Sequence, residues 1–159
     1  MGLRTFGAAI TLSLLAIACT PSPDKLPTPA KNFYYVMEES SQQQAYLKLE
    51  ESERQGFLEE LGLWQRWLEL SGEERDAVST GQVAVGHKEF VAHMVWGRPA
   101  STRQSEARGR EVQFQIFIRC TSGPRVGDYV RSNLDCDGTS SEVEIAVENG
   151  IITELKYLD

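Results

Sequence analysis

The apolar residues of this chain change period at Pro99, and a single-class fold cannot accommodate both patterns. Upstream, Phe57, Leu61, Trp64 and Leu68 recur at the spacing of one helical face, with Leu63, Trp67 and Leu70 beside it. Tyr46, Leu47 and Leu49 mark a preceding helix that begins near Ser40 or Ser41. Ser71 followed three residues later by Glu74 is a capping box, so a further helix is predicted to about Thr80, stopped by Gly81. Phe90, Val91, Met94 and Val95 share one side of a short helix over 88–96, which Gly97 and Pro99 end. Trp64 and Trp67, at helical spacing among leucines, read as core.

Downstream the period is two. Val112, Phe114, Ile116, Ile118 and Cys120 fall on one face of a strand over about 110–120, and Gln113, Gln115 and Arg119 on the other. Val143, Ile145 and Val147 face inward on a strand over 141–147, while Glu142, Glu144 and Glu148 face out as a solvated row. Asn149-Gly150 turns the chain into 151–158. Unbroken alternation predicts a three-residue loop, Glu148-Asn149-Gly150, which sets Val147 opposite Ile151, Ile145 opposite Thr153 and Val143 opposite Leu155, with Gly150 at positive φ. The expected class is α+β. Helices over about 40–80 and 88–96 pack on a three-stranded antiparallel sheet.

The first residues give an address. Arg4 precedes an apolar run from Phe6 to Ala18, too short to span a bilayer and suited to the core of an export signal. It ends in Leu15-Ala16-Ile17-Ala18-Cys19, which resembles the bacterial lipobox. That resemblance implies cleavage after residue 18 and a lipidated Cys19 as the first mature residue. Four prolines between Thr20 and Asn32 then predict an extended tether over 19–32, able to hold a domain up to about 40 Å from a membrane. Thr20 stands where aspartate commonly marks inner-membrane retention, so the outer membrane is favoured over the inner.

Removing residues 1–18 leaves 141 residues, of which 127, from Phe33 onward, form a single domain with a helical half 33–98 and a sheet half 99–159. The mature balance is 15 basic against 23 acidic side chains, or −8. That balance argues against a nucleic-acid partner and against a polybasic grip on anionic lipid, leaving the acyl chains as the anchor. Assigning Cys19 to lipid leaves Cys120 and Cys136 as an even pair in an oxidising compartment. The alternatives are a buried free pair or two zinc ligands, although no Cys-x-x-Cys spacing is present. A disulfide would close a loop of 15 residues and contribute about 3 kcal/mol.

Gly86-His87-Lys88-Glu89-Phe90-Val91, Gly97-Arg98-Pro99 and Val147-Glu148-Asn149-Gly150-Ile151 carry a resemblance to the small outer-membrane lipoprotein domain of the SmpA/OmlA/BamE group, over roughly 81–158. It implies a glycine-opened helix, a three-stranded antiparallel sheet with a closing glycine hairpin, and work in outer-membrane assembly through protein contacts. A secreted β-lactamase inhibitor protein shares that architecture, so the fold leaves scaffold and inhibitor both open.

Few residues are arranged for chemistry. His87 and His93 sit about 120° apart on a helix and cannot chelate one metal. Asp135-Cys136-Asp137-Gly138-Thr139 lacks the third acidic ligand and the twelfth-position glutamate of a calcium loop and reads as a turn. Thr121-Ser122-Gly123-Pro124 is likewise a turn. No catalytic or metal residue and no cofactor is expected, and binding residues cannot be named. The chain reads as a membrane-anchored, non-catalytic envelope lipoprotein acting through protein contacts, or else as an extracytoplasmic binding or inhibitor module.

Overall fold

The computed structural model describes residues 22–107 and 109–158. The export signal and Cys19 lie outside them. The class is α+β, with six α-helices preceding a five-stranded antiparallel sheet.

Helices α1 (Ala30–Val36), α2 (Ser40–Lys48), α3 (Glu51–Glu60), α4 (Leu63–Leu68) and α5 (Gly72–Thr80) form a helical layer. Its core is Phe33, Val36, Met37, Tyr46, Leu58, Leu63, Leu70, Ala77 and Val78. Trp64 and Trp67 pack against that core, with Phe33 tilted against Trp64 at 6.2 Å and edge-on to Trp67 at 5.8 Å. The apolar run through 57–68 is not one continuous helix. Gly62 at φ 70° separates α3 from α4 and re-aims the face, so Leu68 is 50% exposed while Leu58 and Leu63 are buried. The capping box is in place: Glu74 N–H donates to Ser71 Oγ, Ser71 N–H donates to Glu74 Oε2, and α5 ends at left-handed Gly81.

The predicted tether takes another form. Pro23–Lys25 is a single 3-10 turn, and α1 already begins at Ala30, directly after Pro29. Leu26 and Ala30 pack against the helical core. Proline forbids a helix interior but is well placed just ahead of a first turn, where its missing N–H is not needed. From Ser22 on, the proline-rich segment is therefore folded against the helical layer rather than extended.

Helix α6 (Glu89–Trp96) joins the two layers. Phe90, Val91 and Met94 enter the helical core, while Ala92 and Trp96 enter a second core with Phe117, Val143, Ile145, Val147 and Ile152 of the sheet. Full burial of each large side chain contributes about 1.5–3 kcal/mol, so an acidic residue at Val91 would disrupt the helical core.

The sheet runs β1 (Ser101–Ala107), β2 (Arg110–Cys120), β4 (Ser140–Glu148), β5 (Ile151–Leu158), with the short β3 (Tyr129–Val130) pairing beside β1 on the β2 edge. Five strands replace the expected three. β1 escapes a periodicity reading because Ser-Thr-Arg-Gln-Ser-Glu-Ala has no apolar alternation, a composition suited to an exposed edge.

The hairpin register differs from the expected one. Glu148 pairs with Ile151 across a two-residue turn, in which Asn149 (φ 52°) and Gly150 (φ 77°) are both left-handed. Val147 pairs with Ile152, and a register shift beside Ala146 takes up one extra residue, so Ala146 pairs with Glu154, Ile145 with Leu155 and Val143 with Tyr157. The bulge at Thr153 restores the faces that the two-residue turn alone would have mixed. Its hydroxyl donates to Ala146 O at 3.3 Å.

The facing of β2 is also corrected. Val143 pairs with Phe117, Ile145 with Gln115 and Val147 with Gln113, so Gln113, Gln115 and Phe117 look toward the helices. The apolar row ending in Ile118 and Cys120 lies on the opposite face, where Val130 and Cys136 cover its end. Cys120 is buried as expected, but beneath the β3 segment. Its Cα lies 5.3 Å from that of Cys136, and the two are disulfide-bonded. The turns it links are in close contact. A Cβ on Gly123 would come within 2.6 Å of Asp137 O, and one on Gly138 within 2.7 Å of Ser122 O.

Candidate functional site

Because the polar row of β2 faces inward, a polar cleft opens between α6, α4 and the sheet. Gln115 is 2% exposed, and such an amide must satisfy both ends of its dipole. Its Nε2 donates to Glu89 Oε2 at 3.1 Å and to Gln113 Oε1 at 3.0 Å. Its Oε1 lies 2.7 Å from His93 Nε2. An ionised carboxylate only accepts, so Glu89 fixes which end of the amide faces it. Oε1 then faces the imidazole, and His93 carries its proton on Nε2 and donates it. Burial lowers the His93 pKa from its ordinary 6.5, opposed by the Gln115 hydrogen bond and the Glu89 charge and aided by Arg66 and Arg98. The neutral imidazole is therefore the form favoured here.

Glu89 and His93 are four residues apart on α6 and share one face. That spacing is the signal in the sequence that could have found the cleft. His87 stands before the helix, and its main-chain carbonyl accepts Ile152 N–H at 2.8 Å. The same short segment holds Gly86 N–H on Ile152 O and Glu89 N–H on Gly150 O, so the closing hairpin of the sheet fixes the start of α6. A second support comes from α5, where buried Glu74 Oε1 accepts Lys88 N–H at 2.8 Å.

Two arginines flank the opening. Arg66 from α4 stacks over Phe90 at 4.2 Å and approaches Glu89 Oε1 at 3.9 Å, beyond hydrogen-bonding distance. Its guanidinium makes no hydrogen bond among the described residues, which leaves its fork of donors open toward the cleft. Arg98, just past the end of α6, donates to Glu38 O at 2.6 Å. Val36, Met37, Leu61 and Leu63 supply an apolar wall, and Thr102 lies at the β1 rim. The enclosed space is about 510 Å³, within the range of ligand sites.

Chemically this arrangement presents donors, acceptors and both signs of charge. Among the described residues the His93 imidazole is hydrogen-bonded to Gln115 alone, not to a hydroxyl or thiol that it could activate. No group of three or more metal-ligating side chains occurs among the described residues. The acidic segment 135–139 begins in the 3-10 turn Asn133–Cys136, which left-handed Asp137 closes. The disulfide pair lies at the end of β2 and contributes nothing to the cleft. No helix among the described residues is long and apolar enough to cross a membrane. Comparison of the chain with family models, with curated proteins and with solved structures finds no match.

Proposed function

We propose that this chain is a lipid-anchored protein of the cell envelope, held through Cys19 in the outer membrane, that works without catalysis by binding a polar segment of a partner protein in the α6 cleft. The observation that carries the reading is Arg66, whose donors stand open above an otherwise satisfied network of Glu89, Gln115, Gln113 and His93. A guanidinium stacked on an aromatic ring and short of hydrogen-bond partners suits a carboxylate, and Gln113 and Thr102 suit neighbouring amides. The expected ligand is a peptide bearing an acidic side chain or a free C-terminus. The inhibitor reading uses the same cleft and differs only in the partner.

The test is titration of the mature domain, prepared without its lipid, with N-acetylated dipeptides carrying either a free or an amidated C-terminus. The His93 imidazole is followed by NMR. The proposal expects saturable shifts with the free acids, weakened at least tenfold by Arg66→Gln. No shift with any peptide, or equal shifts in the Arg66 variant, would overturn it.

A further inference from the structure

One ring nitrogen of His93 has no partner. Nε2 donates to Gln115 Oε1, and Nδ1 makes no hydrogen bond among the described residues. The buried side-chain nitrogens left unpaired among them are Arg54 Nε and His87 Nδ1, so His93 Nδ1 reaches the water of the cleft that its ring lines. With the Nε2 proton committed to Gln115, Nδ1 holds the lone pair and is where the network can take up a proton near neutral pH. We infer that His93 Nδ1 is a second contact for the ligand carboxylate and takes up a proton from solvent as the ligand binds, so that the cleft holds acidic groups more tightly as the pH falls. This rests on the proposed carboxylate ligand.

The groups around the ring set its state in the free protein. Glu89 comes from α6, Arg66 from α4, Arg98 from just past α6 and Glu38 from the link between α1 and α2. The sheet brings only the neutral Thr102, Gln113 and Gln115 to this cleft. Carboxylates and guanidiniums therefore stand in balance, burial decides, and the imidazole is neutral with its pKa below 6.5. An entering carboxylate breaks that balance. It offsets the Arg66 charge, which opposes protonation, and it accepts a hydrogen bond from Nδ1–H of the imidazolium. Gln115 keeps its bond throughout, because Nε2–H donates in the neutral and in the charged ring. Glu89, held by the Gln115 amide, is left in place. The coupling is reciprocal: whatever the ligand adds to proton affinity at His93, the proton adds to ligand affinity.

The experiment titrates the mature domain with an N-acetylated dipeptide bearing a free C-terminus, by calorimetry in buffers of differing ionisation enthalpy. The inference expects affinity to rise about tenfold between about pH 7.5 and about pH 5.5, a range in which the peptide carboxyl stays ionised. Net proton uptake is expected on binding, and both effects are expected to vanish in His93→Gln, which keeps a donor for Gln115 but cannot titrate. In wild type the imidazole pKa, followed by NMR, is expected to be higher with peptide bound than without. Binding at one affinity across this range with no proton uptake overturns the inference, as does an unchanged or lowered imidazole pKa in the complex, or the same pH dependence in His93→Gln; each leaves the carboxylate ligand standing. A free-acid dipeptide that fails to bind at either pH overturns both.

Discussion

His93 Nε2 lies 2.7 Å from Gln115 Oε1, and this hydrogen bond ties the centre of α6 to the middle of β2. Burial holds the imidazole pKa below 6.5. Above that pH the folded and unfolded states are both neutral, and stability is fully present. As the pH falls below 6.5 the unfolded chain takes up the proton first, and stability declines until the lowered folded value is passed. Urea denaturation at about pH 7.5 and 5.5 is expected to show a loss in wild type that shrinks in His93→Phe, at up to about 1.4 kcal/mol per pH unit. An equal acid loss in both proteins would remove His93 as its source.

Glu74 is 9% exposed and closes the capping box of α5 while accepting Lys88 N–H at the start of α6. Burial raises its pKa, but hydrogen bonds from Lys88 and Ser71 outweigh burial and hold it below 4.5. Its stabilisation is present above 4.5 and is lost as the pH falls through the depressed folded value. Glu74→Ala leaves two main-chain donors unpaired and is expected to cost about 2–4 kcal/mol. Glu73→Ala, on an exposed neighbour, is expected to stay within about 0.5 kcal/mol in the same thermal-melt comparison.

Cys120→Ser with Cys136→Ser opens the loop that the disulfide closes and is expected to cost about 3 kcal/mol, with the fold retained by circular dichroism. The same variant should keep the His93 shifts with peptide, because Cys120 and Cys136 lie away from the cleft. Loss of those shifts in a folded variant would show that the two ends are coupled.

The sequence is legible where a local rule acts alone. Ser71, Glu74 and Gly81 define α5, and Phe90, Val91 and Met94 define the buried side of α6, because caps and helical period need no knowledge of partners. It misleads where tertiary contacts reverse the rule. Gln113 and Gln115 look solvent-facing on β2, yet Glu89 and His93 satisfy the buried Gln115 amide, and the apolar row faces away from the helices. Thr153 conceals the hairpin register, since alternation cannot reveal which strand carries an extra residue. The prolines before α1 suggest extension, but Leu26 and Ala30 supply the packing that folds this segment onto the body.

Lipid anchoring in the envelope is tested by the intact mass of the protein recovered from membranes of its host. The expected mass is that of a chain lacking residues 1–18 and carrying fatty acid on Cys19, with Cys19→Ser accumulating as unacylated precursor. A wild-type protein that retains residues 1–18 with no fatty acid would contradict it.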